Sequence, residues 1–437
     1  MKRTDNQAKF EALRRGFSTF TFVKQTVERT DGKLFLAFDF SLDDRYHFRP
    51  TLEIPARPFF DWDGIPEAQL QSLAFQIGMT ELVSYWKIAC PKRVVVKPFS
   101  LTESQKIFWK KLYYNGLGEF LYLNSITVSE ADLMAIETDD SQPFAKVDLS
   151  LEEKTLVPVG GGKDSVVTLE CLRREMPVIP LIVNPRGATL DCVKTAGYDQ
   201  NDFIVIHRTL DPTMLKLNAE GYLNGHTPFS ALLAFISVLV AFGSRSKYIA
   251  LSNENSANEA TVPGTNINHQ YSKSIEFERD FRNYVAANLN DKVQYFSFLR
   301  PLNELQIASL FAQCEAYHPV FRSCNVGSKT NSWCGHCPKC LFTWIILSPF
   351  LSREKLTAIF GKDLLNDSTL RPIFEELNGT APVKPFECVG TVEEVRACVE
   401  AAENHNFTAV EAILNRFNSE HFLPEKFEQI LKSRLHV

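Results

Sequence analysis

Apolar and polar residues alternate with a period of two in the first part of the chain. The segments Phe17–Val23 and Leu34–Phe40 show this alternation on either side of Asp31-Gly32, a dipeptide typical of tight turns. The pattern predicts a β-hairpin. Two stretches with helical periodicity follow at Ala68–Ile88 and Thr102–Leu112. Together these elements predict an N-terminal α+β domain over residues 1–150, with substrate recognition as its expected role.

The pattern changes at Thr155, where short apolar runs begin to alternate with helical stretches. The predicted strands are Thr155–Val159, Val178–Val183, Phe203–His207, Tyr248–Ser252 and Val293–Leu299. The predicted helices include Ser165–Arg174, Pro228–Phe242 and Ser272–Asn288. Such alternation is typical of an α/β domain with a doubly wound parallel sheet, which binds ligands at the carboxyl ends of its strands. We place this domain at residues 151–350.

The last part of the chain, residues 351–437, is polar and helical in its periodicity. Thr391 and Glu394 have the spacing of a capping box, which predicts a helix that continues through Ala402. We therefore expect a C-terminal helical region.

Composition narrows the class of protein. The chain has 437 residues, 45% of them hydrophobic, and 34 Phe, which is enough to build a sizeable core. Its formal net charge of -5 disfavours nucleic acid as a partner. The charged N-terminus lacks the apolar stretch of a secretory signal, and the apolar run Pro228–Gly243 is too short to span a bilayer comfortably. We expect a cytoplasmic protein that does not bind membranes, and the sequence shows no obligatory protein partner.

The glycine-rich segment Val159–Ser165 carries the clearest chemical information. Consecutive glycines let backbone N–H groups converge on an anion, and the helix N-terminus that follows favours negative charge. A P-loop requires glycine at position 157 and serine or threonine at position 164, where the chain has Val157 and Asp164. A dinucleotide fingerprint starting at Gly160 requires glycine where the chain has Ser165. Neither of these two phosphate-binding motifs fits.

The same segment resembles the SGGxDS loop of the N-type ATP pyrophosphatases, whose members adenylate a substrate and release pyrophosphate. Gly160 stands where that pattern begins with serine, so one hydroxyl group is missing. The resemblance implies the adenine nucleotide alpha hydrolase-like fold and an ATP site. A glycine-rich turn without a ligand is the alternative. The residues implied in ATP binding are Gly160, Gly161, Gly162, Lys163, Asp164 and Ser165.

Four of the ten cysteines are close together in the sequence, which indicates a metal site in a large chain without an export signal. They are Cys324, Cys334, Cys337 and Cys340. Four thiolates suit tetrahedral Zn²⁺ and leave no position for water, so we expect a structural role. An iron–sulfur cluster and free buried cysteines are the alternatives. The remaining cysteines, predicted to be ordinary buried residues, are Cys90, Cys171, Cys192, Cys314, Cys388 and Cys398.

Polar segments follow several predicted strands, where the sheet would meet a ligand. The candidate substrate-binding residues there are Asn253, Glu254, Asn258, Glu259, Tyr271, Lys273, His318 and Arg322. His226 and His269 are the candidates for proton transfer, because imidazole titrates near neutral pH. For each of these residues, a role in a turn, in a helix cap or on the solvated surface is the alternative.

Longer strings resemble the UDP-N-acetylmuramoyl-L-alanyl-L-glutamate epimerase family of bacterial cell-wall synthesis. The resemblance covers most of residues 17–345. Its strings are Ile77–Lys87, Tyr113–Asn124, Gly160–Ser165, Asn224–Ala231, Ser252–Ala260, Asn268–Phe281 and His318–Asn325. It implies an isomerase that inverts the terminal L-Glu of UDP-MurNAc-L-Ala-L-Glu in peptidoglycan synthesis. The reaction would use Mg²⁺ and convert ATP to AMP and pyrophosphate.

We assign hypothetical roles in this reaction to the candidate catalytic residues. Lys163 would contact the ATP phosphates, Asp164 would help to hold Mg²⁺, and His226 and His269 would transfer the Cα proton. The alternative is another ATP pyrophosphatase, a ligase or thiolase similar to 7-cyano-7-deazaguanine synthase. A zinc-stabilised nucleic-acid-binding protein is a second alternative, which the net charge of -5 disfavours.

Overall fold

The computed structural model describes residues 3–30, 32–139 and 142–435. It shows an α/β protein whose chain forms two compact units, each assembled from three segments. The first unit comprises Met1–Glu152, Val205–Lys247 and Glu276–Gln294. The second unit comprises Glu153–Ile204, Tyr248–Ile275 and Tyr295–Val437. The division into three domains at about residues 150 and 350 stays a prediction.

The described residues form eleven strands and seventeen α-helices. The strands are β1 Thr19–Arg29, β2 Lys33–Leu42, β3 Tyr46–Phe48, β4 Thr51–Pro55, β5 Arg93–Val96, β6 Ala135–Thr138, β7 Glu152–Pro158, β8 Val178–Val183, β9 Ile204–Thr209, β10 Ser246–Leu251 and β11 Gln294–Ser297. The helices are α1 Gln7–Gly16, α2 Glu67–Trp86, α3 Glu103–Gly116, α4 Gly118–Leu123, α5 Glu130–Leu133, α6 Lys163–Leu172, α7 Gly187–Thr195, α8 Pro212–Ala219, α9 Phe229–Gly243, α10 Ile275–Asn288, α11 Glu304–Ala312, α12 Pro338–Leu347, α13 Arg353–Phe360, α14 Arg371–Leu377, α15 Val392–Asn404, α16 Thr408–Leu414 and α17 Glu425–Leu435.

The first unit is built on a mixed sheet with the strand order β9, β4, β2, β1, β5, β6, and β3 pairs with β2. Strands β1 and β2 form the predicted antiparallel hairpin, in which Phe22 pairs with Phe40. Asp31 of the predicted turn lies outside the described residues. Helix α2 packs on this sheet, and a Cβ at Gly78 would lie only 2.4 Å from the Phe22 ring. The approach of α2 to β1 therefore depends on glycine at this position.

The long apolar run of the sequence forms helix α9, which packs against α2 in the first unit. Most of its side chains are buried, so the prediction of a buried helix is confirmed. Over the described residues, every helix is either too short or too polar to cross a bilayer.

The second unit contains the neighbouring strands β11, β10, β7 and β8 in that order. Strands β7 and β8 are parallel, with Thr155 opposite Val178. Helix α6 follows β7, and α11 follows β11, so the segments that leave these two strands lead into helix N-termini. The C-terminal part of the unit is helical from α12 to α17, as the sequence predicted. The predicted capping box is confirmed, because the Thr391 and Glu394 side chains cap α15 reciprocally.

Candidate active site

The glycine-rich loop joins β7 to α6 in the second unit, and its backbone requires glycine at position 161. Gly161 has a φ of +80°, and a Cβ there would lie 2.8 Å from backbone atoms of Ala188 and Thr189. Gly162 is the N-cap of α6 and contributes no capping side chain, which leaves first-turn N–H groups for an anion. A Cβ at Gly160 would meet nothing within 4 Å, so the missing serine hydroxyl is not a consequence of crowding.

Lys163 is the first residue of α6 and is almost fully buried, with 3% of its side chain exposed. Its Nζ donates hydrogen bonds to a carboxylate oxygen of Asp164 and to Oε2 of Glu304. Burial lowers the pKa of Lys163, but these two carboxylates outweigh that effect and raise it above the usual value. Lys163 is therefore a fixed positive charge directly beside the glycine loop.

Glu304 is the first residue of α11 and belongs to a group of buried acids. Burial raises the pKa of the Glu304 carboxyl well above its usual value; Lys163 opposes this rise, whereas Asp164, Glu254 and Glu394 add to it. The backbone N–H of Glu304 donates to Oε1 of Glu394 at 2.6 Å. Burial also raises the pKa of Glu394. More acidic than basic groups therefore surround the loop, an arrangement with oxygen atoms of the kind that Mg²⁺ binds.

The segment after β10 carries four of the predicted substrate-binding residues. Glu254 is buried, and its Oε1 accepts a hydrogen bond from Ser256 at 2.9 Å. Asn253 donates to the Ser297 hydroxyl at 3.0 Å. Asn258 accepts from the backbone N–H of Ile275 at 2.8 Å, where α10 begins. Of these residues, Glu254 is the one that interacts electrostatically with Glu304 beside the glycine loop.

Other contacts in this part of the second unit hold the loop after β10 in position. Lys384 pairs with Glu259 and donates to the Gly390 carbonyl at 2.9 Å. The buried Arg300 donates to the Glu254 carbonyl at 2.6 Å and also to the Lys273 carbonyl. Asn258 and Glu259 thus have structural contacts, and their predicted role in substrate binding stays a prediction.

Lys273 and His269 contact a cysteine from the C-terminal part of the chain. The Nζ of Lys273 donates to Sγ of Cys388 at 3.1 Å, and His269 shares a hydrogen bond with the same thiol. Burial lowers the pKa of Lys273, but Cys388 and Glu254 outweigh it and the pKa is raised. Tyr271 is buried in the same short 3-10 helix as Lys273.

The remaining predicted residues of the second unit lie before the cysteine cluster. The backbone N–H of Arg322 donates to the Gly161 carbonyl at 2.8 Å, so this residue supports the glycine loop through its main chain. Its Nη1 donates to the carbonyls of Pro319 and Phe321. The ring of His318 lies beside the Phe311 ring, and burial lowers the pKa of His318.

His226 belongs to the first unit, in the loop before α9. Its Nδ1 lies 3.6 Å from a carboxylate oxygen of the buried Glu119. The neighbouring Gly225 carbonyl accepts a hydrogen bond from Nζ of Lys87 at 2.5 Å. The loop thus holds an imidazole next to a carboxylate and a buried lysine.

The four clustered cysteines converge on one point at the start of α12. Their Sγ atoms all lie within 4.8 Å of one another. The measured separations are 3.7 Å for Cys324–Cys337, 3.6 Å for Cys334–Cys340 and 3.5 Å for Cys337–Cys340. A tetrahedron of sulfur atoms about 2.3 Å from a zinc ion has edges of about 3.8 Å. The sulfur positions therefore fit a single tetrahedral ion.

Three residues of this site were missed by the sequence analysis. Glu304 and Glu394 were not singled out, and Cys388 was taken for an ordinary buried cysteine. Asn303 caps α11 through a capping box with Gln306, a pattern that could have placed Glu304 at a helix N-terminus. For Cys388 the sequence offered no such indication.

The fold and the site define the class of this protein as an α/β protein with a glycine loop at a helix N-terminus, next to a buried lysine and several carboxyl groups. Family models give the particular family. The MurL N-terminal domain matches residues 11–298, and the MurL C-terminal domain matches residues 320–429. The chain therefore belongs to the MurL family, whose curated members carry the name UDP-N-acetyl-alpha-D-muramoyl-L-alanyl-L-glutamate epimerase.

Relatives from three organisms agree with this assignment. The chain is 37% identical over 396 residues to the epimerase of Micromonospora sp., an alignment that covers 88% of this chain and 86% of the relative. It is 35% identical over 396 residues to the epimerase of Salinispora tropica, with 88% and 84% covered. It is 33% identical over 410 residues to the epimerase of Xanthomonas oryzae pv. oryzae, with 92% and 89% covered.

Proposed function

We propose that this chain inverts the terminal L-Glu of UDP-MurNAc-L-Ala-L-Glu to D-Glu in peptidoglycan synthesis. The similarity to named epimerases over most of the chain carries this proposal. The proposed small-molecule substrate is the one after which these relatives are named. We further propose that the second unit has the N-type ATP pyrophosphatase fold, because a glycine loop links the parallel strand β7 to α6.

ATP is the proposed co-substrate, and the glycine loop supplies its phosphate site. The backbone of Gly161 and Gly162 and the N-terminus of α6 face an anion without a Cβ in the way. Lys163 holds a positive charge where the pyrophosphate departs, and Ser165 keeps the turn closed by donating to the Gly162 carbonyl at 3.0 Å. Asp164 and Glu304 are the proposed carboxylates for Mg²⁺, which would neutralise phosphate charge.

Activation by adenylation addresses the main difficulty of the reaction. The Cα–H beside an ionised carboxylate is very weakly acidic, because its removal places a second negative charge next to the first. Transfer of AMP to the α-carboxylate removes that charge and lets the carbonyl delocalise the carbanion. Each pKa unit gained at Cα is worth about 1.4 kcal/mol in the proton-transfer equilibrium. Reprotonation from the opposite face and hydrolysis then give D-Glu, AMP and pyrophosphate.

The test is turnover of the L-Glu nucleotide-peptide with ATP and Mg²⁺ in D₂O. We expect AMP release together with deuterium at Cα of a D-Glu product, detected by mass spectrometry and chiral analysis. Lys163→Ala should reduce AMP formation by at least about 100-fold, because the charge facing the phosphates is lost. Lys355→Ala, which removes an exposed lysine paired with Glu315, is the control. ADP as the product, or an amide product without inversion, would refute the proposal.

We also propose that Cys324, Cys334, Cys337 and Cys340 hold a structural zinc ion. Four thiolates complete a tetrahedral shell, so the ion would pin the segment that precedes α12 and supply no open coordination site. The purified chain should contain about one equivalent of zinc by elemental analysis. Cys337→Ser should lose zinc and reduce the free energy of unfolding by about 4 kcal/mol. Cys398→Ser is the control and should keep its zinc; iron in place of zinc would contradict the proposal.

A further inference from the structure

Cys388 lies close to three basic groups, two of which share a hydrogen bond with its sulfur. Its Sγ accepts a hydrogen bond from Nζ of Lys273 at 3.1 Å. His269 shares a hydrogen bond with the same sulfur, and Lys339 adds a third favourable charge. We call Cys388, Lys273 and His269 the thiol cluster. It joins residues from both family-model matches, since Cys388 lies in the C-terminal match and the other two lie in the N-terminal match.

The thiol cluster is fixed on the same framework as the glycine loop within the second unit. Lys273 interacts electrostatically with Glu254 and with Asp164 of the loop. Arg300 donates to the carbonyls of both Lys273 and Glu254, which ties the two segments together. A ligand whose phosphates occupy the glycine loop is therefore bound by a framework that also carries Cys388.

The chain on either side of Cys388 is held in the same way. Lys384 pairs with Glu259, and its backbone N–H donates to the Thr261 carbonyl at 3.2 Å. On the other side, Glu394 accepts from the Glu304 N–H beside Lys163. Contacts of the flanking residues on both sides therefore hold the segment that carries Cys388 in position.

The charge state of the sulfur sets Cys388 apart. Burial by itself would raise the pKa of the Cys388 thiol, but Lys273, Lys339 and His269 outweigh it and hold the pKa well below the usual value. Glu387 is the acidic neighbour, and burial raises the pKa of its own carboxyl. The surroundings of the sulfur therefore favour its thiolate form, and a thiolate is both a base and a nucleophile.

At other free cysteines the basic group nearby does not outweigh the effect of burial. Burial raises the pKa of Cys171 and of Cys192 to about 12, so both remain thiols at neutral pH. Burial raises the pKa of Cys314 to about 11. All of these cysteines are at least partly buried, so the lower pKa of Cys388 comes from its basic neighbours.

We propose that Cys388 is a catalytic residue that transfers the Cα proton on one face of the adenylated glutamyl residue. This inference rests on the proposed function. In one direction the Cys388 thiolate takes the Cα proton and becomes a thiol, while the C–H electron pair moves into the carbonyl of the acyl-adenylate. A second group then donates a proton to the opposite face of Cα. His269, which contacts the sulfur, then releases a proton to solvent and accepts the one that Cys388 took from Cα, which restores the thiolate.

The experiment compares Cys388→Ser with wild type in two assays on the same protein. Serine keeps the size of the side chain but is not ionised near neutral pH. We expect inversion at Cα to fall by at least about 100-fold, the usual worth of a positioned acid or base. AMP release from ATP should stay within about threefold, because adenylation does not need Cys388. Cys314→Ser is the matched control and should keep both activities.

Alkylation gives a readout that does not depend on turnover. At pH 6.5, in the absence of substrate, iodoacetamide should modify Cys388 at least about tenfold faster than Cys314, as mapped by peptide mass spectrometry. Lys273→Met should slow alkylation of Cys388, because it removes the ammonium group 3.1 Å from the sulfur. Equal rates for the two cysteines would overturn the assignment of a thiolate.

Failure of this proposal differs from failure of the proposed function. If wild type inverts the substrate and Cys388→Ser does so at the same rate, the role of Cys388 is refuted while the epimerase stands. Equal loss of AMP release and inversion, or a glutamyl thioester on Cys388, would also refute proton transfer. If wild type itself forms no AMP with the nucleotide-peptide, the proposed function fails.

Discussion

Two lysines, one in each unit, are buried to nearly the same extent, but their pKa values are shifted in opposite directions. Lys87 follows α2 in the first unit and is 5% exposed, and Lys163 begins α6 in the second unit and is 3% exposed. Burial lowers the pKa of Lys87 to about 8. Burial acts on Lys163 in the same sense, but its pKa is raised above the usual value.

The difference lies in what each ammonium group touches. The Nζ of Lys87 donates to the neutral carbonyl of Gly225, and the attraction of Glu119 is a minor influence on its pKa. The Nζ of Lys163 contacts two carboxylates, those of Asp164 and Glu304. Carboxylates beside a buried ammonium group therefore raise its pKa, and this chain provides them at the loop that would bind phosphate.

The largest expected effect comes from removing one of the two carboxylates that contact Lys163 and distinguish it from Lys87. In Glu304→Leu the ammonium group would keep Asp164 alone, so we expect the free energy of unfolding to fall by about 3 kcal/mol or more, the usual cost of breaking a buried pair. AMP formation should fall by at least about 100-fold, because Lys163 loses the contact that fixes its position. Denaturant unfolding and the AMP assay measure the two effects.

The control for that variant is Glu315→Gln, which removes an exposed carboxylate paired with Lys355. Solvent screens this pair, so neither stability nor AMP formation should change measurably. If Glu304→Leu behaved like this control, the buried pair would not be what fixes the charge of Lys163.

A smaller effect, the dependence of stability on pH, also distinguishes Lys87 from Lys163. The pKa of Lys87 is about 8 in the folded chain against the usual 10.5, so between these values the unfolded chain binds more protons. Stability should therefore rise with pH across this window, and the cost of the buried charge is fully present below pH 8. From pH 7.5 to 9.5 the Lys87 contribution to the free energy of unfolding should rise by about 2 kcal/mol. Urea unfolding of wild type and Lys87→Met at both pH values isolates the contribution of Lys87 to this pH dependence.

Lys163 gives the opposite sign and serves as the comparison. Because its folded pKa is raised, its stabilising contribution is fully present below the usual lysine pKa of 10.5 and is lost only as the pH rises towards the raised value. Lys163 should therefore contribute no slope between pH 7.5 and 9.5. An equal pH dependence in wild type and Lys87→Met would show that Lys87 is not the buried charge described here.

The parts of the fold that sequence patterns predicted are those fixed by local contacts. The strand Val178–Val183 has the predicted bounds, because a short apolar run between polar segments leaves few alternatives. The hairpin of β1 and β2 and the cap of α15 are set by residues within a few positions of one another. The glycine loop was recognised for the same reason, since its glycines and Lys163 are contiguous.

The rest of the site depends on contacts between distant residues. Glu304 contacts Lys163, which lies 141 positions earlier in the sequence. Glu394 contacts Glu304, which lies 90 positions earlier. Cys388 meets Lys273 across 115 positions. A single sequence does not show which distant residues come into contact. The charge states of Lys163 and Cys388, which depend on such contacts, could therefore not be predicted from it.

The contact between Glu394 and Glu304 also bears on the order in which the site forms during synthesis. The ribosome makes Lys163 long before Glu304, and Glu394 emerges 90 residues after Glu304. Until then the nascent chain has its glycine turn but lacks the groups from the C-terminal segment that complete the buried acids and the thiol cluster. A chain released early at residue 380 would lack Glu394 and Cys388, so we expect it to be unable to catalyse the reaction even though its glycine turn is present.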